Sequence, residues 1–134
     1  MNELKPRIAA MLVHADRAAQ LATQAAILYG QDWLSELKEH LREMRDLSAN
    51  AMNHIPGIEC HTLEATPFIF PSIKNFGMKS VDFAKVLYDT SHVAVLPGSD
   101  FGPLGEGHVR INLATSEAIL KEAFFRIENA LNNF

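Results

Sequence analysis

The sequence predicts an α+β fold, a two-layer sandwich in which a small sheet of three or four strands is covered by helices. Three observations predict it. Apolar residues recur three and four apart near both ends of the chain, as they do along one face of a helix. Between those ends, short apolar runs are broken by Pro, Gly and Asn, which reads as strands and turns. One of these runs follows a loop and alternates polar with apolar from His108 to Leu113, the period of a half-buried strand.

Taken in order, Asn2 to Val13 carries Leu4, Ile8, Met11 and Leu12 at helical spacing, with Pro6 tolerable in a first turn. Asp16 is expected to cap a second helix, where Ala18, Leu21, Ala22, Ala25, Ala26 and Leu28 make a small-residue face ended by Gly30. A third opens at Asp32. Its stripe is Leu34, Leu37, Leu41, Met44, Ala51 and Ile55, closed by Pro56-Gly57. Ile58 to Thr62 and Thr66 to Phe70 read as strands, Pro67 favouring an edge for the second. After the turn at Asn75-Phe76-Gly77, Ser80 is expected to cap a helix that buries Phe83, Val86 and Leu87. Val93 to Leu96 then reads as a fully buried strand. The last helix opens at Thr115 or Ser116, with Leu120, Ala123, Phe124, Ile127 and Leu131 on one face.

The stretch Pro97 to Leu113 is the informative one. Four glycines and two prolines fall within Pro97 to Gly107, so this part is a loop. In the strand that follows, Val109, Ile111 and Leu113 share one face, which puts His108, Arg110 and Asn112 on the other. Arg110 is the one cation of that strand. A guanidinium presents parallel donors that match two carboxylate oxygens and stays protonated, so the position suits an anion receptor. A surface arginine paired with a neighbouring carboxylate is the plainer reading of spacing alone.

Composition narrows the classes. At 134 residues, 48% hydrophobic and 21% charged, the chain is expected to form one domain, residues 1–134, with a modest core. A net charge of -4 without a basic run argues against a nucleic-acid surface. No run approaches a membrane span, and the start lacks the layout of a secretory signal. Cys60 is the sole cysteine, which excludes an internal disulfide and fits a reducing, cytoplasmic setting. The histidines show no i, i+4 pair of the kind that holds zinc on a helix. Ser99 and Cys60 lack a histidine and acid partnership in sequence, and Glu106 reads as a structural residue of its turn.

Pro-Gly-Ser-x-Phe-Gly-x-x-Gly-Glu-Gly-x-Val-Arg-Ile-x-Leu, ending at Leu113, closely resembles the C-terminal segment of fold-type I aminotransferases of class I and II. Gln24-Ala25-Ala26, Trp33-Leu34, Leu37, Leu41-Arg42, Arg45-Asp46 and Ile55-Pro56-Gly57-Ile58 extend the resemblance upstream. It implies the small-domain fold of these enzymes, with residues 1–30 as an interdomain helical segment and 31–134 as the small domain. It also implies a pyridoxal phosphate enzyme moving an amino group between an amino acid and a 2-oxo acid, a homodimer in its full form. Arg110 falls where the family binds the substrate α-carboxylate. Gly98, Phe101 and Asn112 fall around it, in the bordering loop or on the same strand face.

Other features qualify the resemblance. None of Lys5, Lys38, Lys74, Lys79, Lys85 and Lys121 stands in the family's Ser-Lys-x-x-x-x-x-Gly cofactor context. The expectation is therefore a domain without the large cofactor domain, binding no cofactor itself and inactive alone, with apolar helix faces that favour self-association. Glu64-Ala65-Thr66-Pro67-Phe68 differs from the Pro-Glu-Gly-Thr-Phe/Tyr of aspartate-type members, which leaves the substrate open. Arg110-Ile111-Asn112 is also similar to the Arg-x-Asn of cystathionine β-lyase type carbon–sulfur lyases. A non-catalytic binding module is the remaining alternative.

Overall fold

The computed structural model describes residues 4–132; the expected helix start at Asn2 lies outside them, as do the side chains of Leu4, Ile8 and Leu12. The chain divides into two compact units after Glu39.

In the first unit, one helix, α1 (Leu4–Tyr29), replaces the two expected. His14, Ala15, Asp16 and Arg17 include no Gly or Pro, so Asp16 sits inside the helix instead of capping a new one. The expected stop at Gly30 is where the helix ends. The hydrogen-bond ladder nevertheless crosses it: Gly30 N–H donates to Ala26 C=O at 2.9 Å, and Gly30 C=O accepts from Leu34 N–H at 3.0 Å. A Cβ at Gly30 would lie 2.4 Å from the Ala26 oxygen, so the join needs glycine. Helix α2 (Gln31–Asn53) begins at the next residue. Asp32 is thus a first-turn acid that complements the helix dipole, and the expected capping role falls away. Met11, Leu21, Ile27, Leu28, Tyr29 and Trp33 are exposed.

The second unit holds the core. Met44, Ser48, Ala49 and Met52 are the buried residues of α2, while Leu34, Leu37 and Leu41 are half-buried. The helix stops two residues short of Ile55, which is buried in the turn that follows. Three antiparallel strands come next, β1 (Phe68–Ile69), β2 (Leu96–Pro97) and β3 (Val109–Asn112), with β3 in the centre. Helices α3 (Ser80–Ser91) and α4 (Glu117–Leu131) complete the unit. Ile69, Val109, Ile111 and Leu113 from the sheet join Met52, Phe83, Leu87, Leu120, Phe124 and Ile127 from the helices in one apolar cluster. The α+β sandwich is as the sequence predicts.

The strands are shorter than expected, each for a local reason. Ile58 to Thr62 forms no strand: Glu59 makes a single bridge to Ser72, and the Asn53 side-chain amide takes both backbone groups of Cys60, at 2.8 and 2.9 Å. Thr66 has φ of 76°, a conformation that a β-branched residue rarely adopts, so β1 cannot begin there. It stops before Pro71, which has no N–H; the same register returns beyond it at Ser72 opposite His108. Val93 to Leu96 is not a buried strand. α3 runs on to Ser91, His92 turns left-handed with φ of 57°, and β2 is an edge strand whose Leu96 is exposed.

Helix α4 follows expectation, with Ser116 as N-cap accepting from Ile119 N–H. α3 does not. Lys79 is its N-cap and gives no side-chain bond; Glu106 instead reaches over from the glycine-rich loop. Its carboxylate accepts from Ser80 N–H at 2.7 Å, Ser80 Oγ at 3.0 Å and Gly107 N–H at 3.0 Å. Ser80 Oγ in turn accepts from Ser99 N–H at 3.3 Å. The backbone N–H of Ser80, then that of Gly107, hold the Glu106 carboxyl below its usual range. Behind this contact the loop folds back on itself, with Gly98 N–H donating to His108 C=O at 2.9 Å.

Three outcomes follow. A Cβ on Gly98 would lie 2.0 Å from the Gly105 oxygen and 2.6 Å from the His108 oxygen, both backbone atoms. Gly98→Ala is therefore expected to destabilise the chain by about 1–3 kcal/mol, read from urea unfolding; a midpoint equal to wild type would remove the close approach. Because the folded pKa of Glu106 is lowered, its stabilisation is complete above the unfolded value, about 4.3, and is lost as pH falls through the lower folded value. Urea midpoints of wild type and Glu106→Gln should thus differ at neutral pH and converge in acid, and a gap that persists in acid refutes the cap. Burial pushes the Cys60 thiol up to about 11. Ellman's reagent at neutral pH should find no reactive thiol in the folded chain and one in urea; prompt reaction without urea contradicts this burial.

Candidate functional site

Strand β3 has two faces, and they differ in kind. Val109 and Ile111 are buried beneath the sheet, while Arg110 is half-buried and Asn112 exposed on the open side. Register then assigns the neighbours: Leu96 of β2 lies across from Arg110 on one side, and Phe68 of β1 across from Asn112 on the other. Alternation puts Phe68 and Phe70 together on the open side, because Ile69 between them is fully buried.

Phe101 reaches the same face from the loop. The short 3₁₀ turn Gly98–Phe101 follows β2 directly, and the Gly98 to His108 hydrogen bond ties its start to the chain entering β3. The guanidinium carbon of Arg110 lies 4.3 Å from the centroid of the Phe101 ring and 4.5 Å from that of Phe68. Both are within cation–π range. Phe101 meets Phe70 edge-on, with centroids 6.0 Å apart and planes at 82°. Phe70 lies flat on the His108 ring, 5.2 Å away and at 8°. No carboxylate among the described residues pairs with Arg110, so the plainer reading of a strand arginine neutralised by a neighbour does not describe it.

Arg110, Gly98 and Phe101 are therefore brought together, Gly98 through its backbone alone. Asn112 shares the face, but its side-chain oxygen accepts from Ala114 N–H at 2.9 Å. Phe68 and Phe70 belong to this cluster and were not singled out from sequence. Their equal parity on one strand was the available signal, and it becomes informative only once β1 is known to pair with β3. His108 is half-buried and held against Phe70, its Nδ1 3.3 Å from the Glu106 carbonyl oxygen.

Chemically, such a site offers a permanent cation with apolar walls. Two in-plane N–H donors of a guanidinium take a carboxylate in a fixed orientation, and rings beside them limit competition from water. A pyridoxal phosphate Schiff base asks for something else, a lysine taken out of water or beside another cation. Lys38, Lys74, Lys79, Lys85 and Lys121 are all exposed. Lys85 is bonded to Asp89, which raises its pKa, and Lys121 is paired with Glu117 at 2.6 Å. These described lysines do not fit that cofactor. Nor is there a group of three or more His, Cys, Asp or Glu among the described residues that fits a metal ion.

Comparison with known proteins bears on the same residues. Residues 1–127 match the family of class I and II aminotransferases. An aspartate aminotransferase of Pyrococcus horikoshii is 37% identical over 114 residues, covering 84% of this chain and 29% of that protein. An aspartate aminotransferase of Rhizobium meliloti (strain 1021) is 39% identical over 123 residues, with 84% and 29% covered. Among solved structures, an alanine aminotransferase from Pyrococcus furiosus superposes with a TM-score of 0.82 at 32% identity, covering 87% of this chain and 30% of that one. The chain thus spans about three tenths of the length of these relatives. With a match running through α1, the small sheet and the arginine-bearing strand alike, this chain belongs to the class I and II aminotransferase family.

Proposed function

We propose that this chain supplies the α-carboxylate receptor of a pyridoxal phosphate-dependent aminotransferase that exchanges an amino group between an amino acid and a 2-oxo acid. The observation that carries the reading is Arg110, a guanidinium on the open face of the sheet with two aromatic rings beside it and, among the described residues, no carboxylate partner. In this role its N–H donors grip both substrate oxygens, and the glycine-rich loop holds the position of the grip. A carboxylate fixed at two points fixes the adjacent Cα as well, so the bond to be broken is presented in one orientation. Arg110 is a binder and never a base, since a guanidinium does not release its proton near neutral pH. The amino-transfer chemistry is that of the cofactor.

In the same reading residues 1–30 are an interdomain helical segment and 31–134 the small domain, with the cofactor held by a domain outside this chain. The exposure of the described lysines, with Lys85 and Lys121 held in ion pairs, supports that division.

Two measurements test the proposal. In the 134-residue chain, the Arg110 Nε–H resonance should shift saturably with L-alanine and with pyruvate but not with L-alaninamide, and Arg110→Lys, followed through the backbone amides of Val109 and Ile111, should weaken binding at least about tenfold. Equal response to the amide would remove the carboxylate role. Pyridoxal phosphate added to the chain should give no visible band that borohydride fixes to a lysine, and a specific lysine adduct would overturn the division between chain and cofactor domain.

A further inference from the structure

Arg110 needs something to hold it still, and the structure offers an unusual answer. A receptor arginine is commonly oriented by a carboxylate or carbonyl, which occupies some of its donors. Here no hydrogen-bond partner among the described residues holds the guanidinium; its near neighbours are the rings of Phe101 and Phe68, 4.3 and 4.5 Å away. Ring faces attract a cation without accepting its in-plane hydrogen bonds, so the donors stay available.

We propose that Phe101, assisted by Phe68, is a positioning residue that orders the Arg110 guanidinium by stacking and leaves its N–H edge free for the ligand. This rests on the reading of Arg110 as a carboxylate receptor and adds how that receptor is preorganised. Phe101 is itself fixed from two directions. Phe70 meets it edge-on and is in turn stacked on His108, while the turn that carries Phe101 is tied at Gly98 to the His108 carbonyl. The ring is therefore a fixed element joining the loop to the strand. Its 46% exposure means that replacing it removes little from the core.

The test uses ¹⁵N relaxation of the Arg110 Nε–H group in the 134-residue chain, with the backbone amides of Val109 and Ile111 reporting that the sheet is intact. The wild-type order parameter should lie above about 0.6, the rigid side of the usual range. Phe101→Leu, which keeps apolar bulk and removes the ring, should bring it below that value, and Phe101→Tyr should restore it. Phe68→Leu should give a smaller drop in the same direction. For pyruvate, Phe101→Leu should raise Kd about two- to fivefold. An Arg110 equally ordered in wild type and Phe101→Leu, or a Tyr variant as mobile as the Leu one, overturns the stacking role. The two readings fail separately: an Arg110 ordered by Phe101 but indifferent to pyruvate sinks the receptor, and one that binds pyruvate with unchanged order in Phe101→Leu sinks the positioning.

Discussion

The two-residue period of β3 is the constraint on which the rest depends. Val109 and Ile111 bury their side chains in the cluster formed with α2, α3 and α4, so the residues between and beside them have to face away from it. A slip of one residue would place a guanidinium in that cluster, where an unpaired charge is strongly disfavoured. Core packing and site geometry are thus the same fact read from opposite faces of one short strand. Its central place in the sheet strengthens this, since β1 and β2 both take their register from it.

The loop before β3 is held by polar contacts at one end and by backbone proximity at the other. Glu106 ties it to the first turn of α3, supplying a carboxylate where the helix has free N–H groups and a favourable dipole. Gly98 and Gly105 lie so close that neither position has room for a side chain. Between these anchors Phe101 projects onto the open face. Gly102 and Gly107 serve the loop differently, taking positive φ of 107° and 79° where it turns.

Much of this was legible in the sequence, and the gaps have physical causes. The alternation from His108 to Leu113 gave the strand, its buried face and the outward placement of Arg110, because a period of two is a local property. The stripes of α3 and α4 were legible for the same reason, as was Ser116 as a cap. Caps made from a distance were not. Ser80 looks like an N-cap by type, and only the folded chain shows Glu106, 26 residues away, doing that work. Strand lengths failed where the deciding partner was remote or conformational, as with the Asn53 amide occupying Cys60 or Thr66 at positive φ. Asp16 and Asp32 show the converse, residues with capping chemistry placed inside a helix and in its first turn.

The two outer edges of the sheet are closed in different ways: Pro97 stands in β2, and Ser72, in register beyond β1, exchanges both backbone hydrogen bonds with Glu59. Pro97 lacks the N–H that an incoming strand would need there, because it is the next residue, Gly98, that turns its N–H toward β3. The sheet is therefore poorly suited to growing sideways by recruiting a strand from another molecule. That protection lets the chain display a face rich in phenylalanine without offering a template for fibril-like stacking, and it directs any association of this unit toward contacts between side chains.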